Sequence, residues 1–368
     1  VIRPLAYVAE SDTWEQIVRV VDVGDPAVPS ELAMTDVPGL GTRMAASDRA
    51  LYVLVESTNV TGHVRVVDVA DPRKPRLVRA GIAPDLPSVS RPGPAPLPAP
   101  AQSPIQAPGA VWQAAASAAS ARSLALDGDR LAVGFGSQAS LLSLASPLQP
   151  AVVGSIAVSS GAFGVAVRGD LVSVAAGAAG VLLADLSQPT VEVVGRYSDD
   201  AVGLPNAIDW SGDRLYVADQ LGVLRVYDMA DPAAPQRLVE WTTLGVPNDV
   251  AAIGDYAVLA LALSYRRVGT RYEYTGGLEI VHLGDPRAPF LAAQADKTCG
   301  ISDLDIDGTR AYVAELTCSG KQRALTVFDL TRPWWPEELG GAAMHAAVSG
   351  TVDFQESSDA ACISRVKL

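Results

Sequence analysis

Residues 216–235 read Tyr-Val-Ala-Asp-Gln-Leu-Gly-Val-Leu-Arg-Val-Tyr-Asp-Met-Ala-Asp-Pro-Ala-Ala-Pro, two strand-like runs joined at a glycine and closed by Asp-x-x-Asp-Pro-x-x-Pro. Each part of the closing motif has a turn chemistry. The Asp side chains can cap the backbone that follows, and Pro232 presets a turn angle. Pro235 can open an outer strand, where its missing N–H costs no ladder bond and discourages edge pairing. Working outward, an apolar run followed by this motif recurs seven times, beginning at Asp22, Asp68, Ser143, Asp185, Asp228, His282 and Asp329. Five of the intervals are 42 to 54 residues, and the one from Asp68 to Ser143 is 75.

Upstream of each motif lies a second apolar segment of the form Gly212-Asp-Arg-Leu-Tyr-Val-Ala218, repeated at Gly308-Thr-Arg-Ala-Tyr-Val-Ala314. Before that comes a shorter alternating run such as Asn206-Ala-Ile-Asp-Trp210, and after the second Pro a fourth segment such as 236–241. Four antiparallel strands in a unit of about 43 residues describe a propeller blade. The third strand of each unit is almost continuously apolar, as in Leu141, Leu142 and Leu144, which suits a strand covered on both faces by neighbouring blades. A β-sandwich would not repeat one turn seven times, and a β-helix has shorter coils. The expected fold is all-β: one seven-bladed β-propeller spanning residues 1–368, with four-stranded antiparallel blades.

Residues 216–232, together with Gly277-Leu-Glu-Ile-Val-His-Leu-Gly-Asp-Pro286, resemble the LVIVD repeat of secreted or cell-surface propeller proteins of bacteria and archaea. The resemblance extends over essentially the whole chain apart from insertions. It implies a propeller fold and an extracellular, cell-surface or periplasmic location, and it assigns structural roles to the repeat residues.

Composition narrows the function classes. A formal charge of -13 and a pI near 4.7 repel polyphosphates, so no nucleic-acid partner is expected. The longest apolar stretch, 171–184, is broken by Gly177 and Gly180 and is shorter than the roughly 20 residues a membrane helix needs, so no membrane span is expected in this chain. The chain opens on Val1 without a basic-then-apolar leader, which reads as a processed mature protein.

The first unit lacks an innermost strand, because Tyr7 aligns with Tyr216. A C-terminal segment near 349–356 is expected to supply it, closing blade 1 and removing a free sheet edge. Two insertions interrupt the repeat. Residues 84–118, rich in Pro and Ala, fall between blades 2 and 3 and read as an extended spacer or as a strap anchored by Trp112. Residues 263–276, in blade 6, hold Tyr265, Arg266, Arg267, Arg271, Tyr272 and Tyr274. Tyr and Arg are enriched among interface hot spots, so this loop is either a partner-binding element or a solvated hairpin tip.

Cys299 and Cys318 fall opposite each other on the hairpin that turns at Gly308 and are expected to form a disulfide, which implies an oxidising compartment, the alternative being two reduced thiols in a cytosolic protein; Cys362 is expected to be unpaired. Asp303-Leu-Asp305-Ile-Asp307-Gly308 opens like a calcium loop, but position twelve is Ala314 where a bidentate Glu is required, and the segment aligns with an inner strand and its turn. His63, His282 and His345 have no metal-ligand spacing, and no nucleophile elbow or phosphate loop occurs, so neither catalytic residues nor a cofactor or metal is expected. Asn206, Asn248, Asp249, Ser302 and Asp303 either line the mouth of the central channel or bond along the inner-strand ends. The leading expectation is a non-catalytic propeller that binds or scaffolds other proteins in a cell-envelope or extracellular assembly. The alternatives are a small-ligand or glycan-binding propeller and a channel-mouth hydrolase or lyase.

Overall fold

The computed structural model describes residues 5–340, apart from 13–14, 25–29, 39, 57–61, 79–109, 114–120, 186–191, 198–202, 269–270, 298–299 and 316–324. Seven antiparallel sheets follow one another along these residues, each a simple up-and-down meander. Blade 5 is representative. Its strands Pro205–Ser211, Arg214–Asp219, Val223–Asp228 and Gln236–Thr242 lie side by side in chain order, from the axis to the rim. The expected all-β, seven-bladed architecture is what the chain adopts.

Burial shows why the repeat folds this way. The third strand of blade 5 is buried at four consecutive positions rather than at alternate ones, so both of its faces are covered. The apolar side chains gather into seven clusters, one at each junction between blades. Blades 2 and 3 share Tyr52, Leu54, Val66, Leu131 and Leu142, and blades 5 and 6 share Tyr216, Leu224, Val250 and Leu259. The ring closes where Ala6, Val21 and Val23 of blade 1 meet Val327 of blade 7, and Arg310 of blade 7 donates to the Val23 carbonyl at 3.1 Å. No single sheet has a core of its own; each hides its faces against its two neighbours.

The motif residues do the capping expected of them. The first Asp accepts from the backbone N–H two residues on, as Asp22, Asp68, Asp228 and Asp329 all do at 2.7–3.1 Å. The second Asp repeats this from Asp71, Asp231 and Asp285, and its carbonyl closes a four-residue turn with Pro in second place.

Blade 1 contributes three strands, Leu5–Asp12, Glu15–Asp22 and Ser30–Pro38, and none of them is innermost. The proposed closing segment, 349–356, lies outside the described residues. Blade 2 has a composite outer edge. Arg76–Leu77 pairs with the start of that edge, opposite Asp68 and Val67, and Ala110–Gln113 continues the same line opposite Arg65, Val64 and His63. The insertion therefore interrupts the outer strand of blade 2 itself, and Trp112 sits in the rejoining half.

The inner strands of blades 4 and 5 approach one another closely at Gly164. A Cβ there would lie 2.7 Å from the Asn206 carbonyl oxygen and 3.2 Å from the Ala207 Cα, both backbone atoms that cannot rotate away. Gly164→Ala is expected to force blades 4 and 5 apart and cost about 1–3 kcal/mol, read as a lower urea midpoint. An unchanged midpoint would show that the inner strands can slide.

Candidate functional site

The innermost strands of blades 2 to 7 surround a central cavity of about 620 Å³, lined by Arg43, Ser123, Arg168, Asn206, Asp209, Asp249 and Asp305 among others. Each of these strands is the free inner edge of its sheet, so its outward N–H groups need acceptors. Side chains of the preceding blade supply them. Ser123 accepts from Val165 N–H (2.8 Å), Asp127 from Gly169 (2.7 Å), Asp209 from Ala252 (3.2 Å) and Asp249 from Leu304 (3.2 Å). Asparagines add a second set, with Asn206 donating to the Pro247 carbonyl at 2.8 Å and Asn248 to that of Ile301 at 2.7 Å.

The structure thus brings Asn206, Asp249 and Asp303 to the channel wall, while Asn248 bonds to the neighbouring inner strand, and each has a partner. Asp249 and Asp303 both bind Arg43, the former at 3.0 Å, so a guanidinium from blade 2 reaches across to blades 6 and 7. Ser302 turns back onto its own blade, donating to the Ala314 carbonyl at 3.1 Å. The calcium-like segment is the inner strand Ile301–Asp307, paired with Arg310–Glu315 through the turn at Gly308, as its alignment implied.

Four channel residues, Asp209, Asp305, Arg168 and Arg43, were not among those the sequence placed at the channel. Asp209 is pushed up to about 7, first by desolvation and then by Asp249 and Asp305, against the hydrogen bonds from Trp210 and Ala252 that favour its charge. Asp249 and Asp305 are raised for the same leading reason, although Arg43 pulls Asp249 down. Arg168 lies over the Trp210 ring, 4.3 Å from its centroid, and also binds Asp213 at 2.9 Å. Asp209 and Asp305 sit at the same place in aligned inner strands, a signal the repeat does carry. Arg43 had none, since its partners lie more than 200 residues away.

The Tyr and Arg insertion of blade 6 is an extension of its two middle strands. Tyr256–Val268 and Arg271–His282 run 13 and 12 residues, against six each in blade 5, and stay paired out to Tyr265 with Tyr274, Arg267 with Tyr272 and Val268 with Arg271. In a meander the turn between second and third strands lies on the face opposite the Asp-Pro turns. The hairpin therefore stands on that opposite face. Cys299, Cys318 and Cys362 lie outside the described residues, so their pairing stays an expectation; the blade 7 ladder has its last pair toward them at Ile301 and Glu315. Among the described residues, no group of three or more His, Cys, Asp or Glu is placed to hold a metal ion, and no helix is long and apolar enough to cross a membrane.

Residues 206–243, the whole of blade 5 from its inner strand to the end of its outer one, match the family model of the LVIVD repeat. The match covers one blade of a ring of seven like blades, which is consistent with an LVIVD-repeat propeller. The chain is a seven-bladed β-propeller with an LVIVD repeat. No curated protein matches it by sequence. Among solved structures this LVIVD propeller is similar to a functionally unknown protein from Desulfotomaculum acetoxidans (TM-score 0.59, 10% identity, 86% of this chain and 89% of that one). It is also similar to the computationally designed Ika8 protein (0.55, 10% identity, 90% and 86%) and to the β-propeller domain of Cps50 (Swd1) from Myceliophteria thermophila (0.50, 12% identity, 82% and 88%). At such identities the likeness concerns the fold alone.

Proposed function

We propose that this LVIVD propeller is a non-catalytic, secreted or surface-exposed module that binds another protein of an envelope or extracellular assembly through the hairpin of blade 6. The observation that carries the reading is the paired extension of blade 6, the longest strand pair among the described residues, which lifts a Tyr- and Arg-rich strand pair off the ring. A laddered hairpin holds its contact residues with less ordering cost than a loose loop, and its arginines offer positive charge on an acidic protein. The channel supports the non-catalytic half of the reading. Its Asp249 and Asp303 are committed to Arg43 and to backbone, as structural groups are, rather than paired as acid and base around an open position. The extracellular half rests on the family resemblance and on the spacing of Cys299 and Cys318.

Replacing Tyr265, Tyr272 and Tyr274 with Ser and Arg266, Arg267 and Arg271 with Ala is expected to reduce recovery of the native partner at least tenfold. The assay is cross-linked pull-down from source extract, read by mass spectrometry, with the melting temperature unchanged. Undiminished recovery of the same protein would remove the hairpin from the interface.

A further inference from the structure

On the opposite face, the Asp-Pro turns of blades 2, 5 and 6 present short or charged residues at the two positions between the prolines, Arg73 and Lys74, Ala233 and Ala234, Arg287 and Ala288, and the corresponding turn of blade 3 presents Leu148 and Gln149. Blade 7 presents Trp334 and Trp335. Their relative exposures are 56% and 68%, against a core in which residues as large as Tyr52 and Tyr216 are fully enclosed. The turn that carries them is fixed, with Trp335 N–H donating to the Arg332 carbonyl at 2.7 Å and Pro333 buried beneath. Both indoles are thus held in water on a rigid support, whereas Leu148 at this place in blade 3 packs partly against the core and the turns of blades 2, 5 and 6 carry residues that solvate well. Trp is the residue type most enriched at the centres of binding interfaces.

The charge around the pair selects the occupant. Glu337 and Glu338 follow directly and are exposed, and Glu337 stands opposite Asp329 across the strand pair, two like charges where a ladder ordinarily avoids them. Of the nearby cations, Arg310 is turned inward to the Val23 carbonyl, and Arg332, exposed within the turn, is offset by the neighbouring Asp329 carboxylate, which leaves Glu337 and Glu338 as the excess charge. Indole faces bordered by carboxylates attract a guanidinium or ammonium group twice, through the ring quadrupole and through the acids. A second copy of this chain, at a formal charge of -13, and an anionic bilayer are both repelled from the same place.

We propose that the Trp334–Trp335 turn is a docking site for an Arg- or Lys-rich segment of a partner protein. The site is separate from the blade 6 hairpin and lies on the other face, so it goes beyond the function proposed above. The test titrates the full chain with a 12-residue peptide of alternating Arg and Gly, its Glu-Gly counterpart, cellohexaose, and vesicles of phosphatidylcholine with and without phosphatidylserine, by calorimetry. Only the Arg-Gly peptide is expected to bind. Its affinity should fall at least tenfold in Trp334→Ala/Trp335→Ala, about threefold in Glu337→Gln/Glu338→Gln, and with rising salt, while the hairpin variant binds as the unaltered chain does. No binding of the Arg-Gly peptide, equal binding by the Trp variant, or loss in that variant of sugar or vesicle binding instead would each overturn the proposal. Loss of peptide binding in the hairpin variant alone would transfer the site to the hairpin.

Discussion

Asp219→Ala is expected to lower the stability of the propeller by about 3–5 kcal/mol, the largest loss among the single polar substitutions considered. Asp219 is fully buried, yet all its bonds are made. One oxygen accepts from Leu221 N–H at 2.6 Å, and the other from Leu204 N–H at 2.9 Å and from Arg225 at 3.0 Å. It therefore ties the crossover from blade 4 to the second and third strands of blade 5. Truncation would strand two backbone donors and leave the Arg225 guanidinium, itself 9% exposed, with the more distant Glu240 at 3.4 Å. Asp219→Asn keeps an acceptor oxygen and should lose about half as much. Equilibrium urea unfolding reads both values, and an Ala variant within about 1 kcal/mol of the unaltered chain would show that the crossover carries no strain-bearing bond.

Asp209→Asn should do the reverse, with a gain that grows as pH rises from about 4 to about 7. An unfolded chain releases this proton near the ordinary value of 3.8, whereas the folded chain holds it to about 7. Between those values the folded state binds more protons than the unfolded one, so stability falls as pH rises, and the loss is complete above pH 7. Three units correspond to roughly 4 kcal/mol, which water in the channel trims to about 2–3 kcal/mol because Asp209 is only partly enclosed. Removing the charge should therefore raise the melting temperature by roughly 3–4 °C at pH 8 and by less than about 1 °C at pH 4. A gain of the same size at both pH values would mean that the carboxylate is not desolvated. The substitution should leave the interblade bond to Ala252 in place, since the Asn oxygen can accept it.

The blade was legible because everything that makes it is local. Asp228, Asp231, Pro232 and Pro235 lie within seven residues of one another, and the buried run at 224–227 needs only two covered faces, whichever neighbours cover them. The channel was half legible. Asn206 and Asn248 announced polar inner strands, but their acceptors are carbonyls of the next blade, more than 40 residues on, a relation fixed by ring closure rather than by pattern. Asp209 and Asp305 could have been found by aligning inner strands position by position, since each stands opposite the Tyr of the second strand, Tyr216 and Tyr312.

By itself, then, the sequence determined the repeating unit, its strand count, its turn chemistry and the number of units, because short-range backbone geometry and two-sided burial leave the same signature in every copy. Only the tertiary structure decided which side chains meet around the axis and at the rim. Arg43 finds Asp249 and Asp303 across the channel, and Ala110–Gln113 rejoins the edge begun by Arg76–Leu77. Trp334 and Trp335 stay in water because blade 7 turns them outward. The physical reason is closure: bending seven sheets into a ring sets distances between residues hundreds of positions apart, and no local preference encodes them.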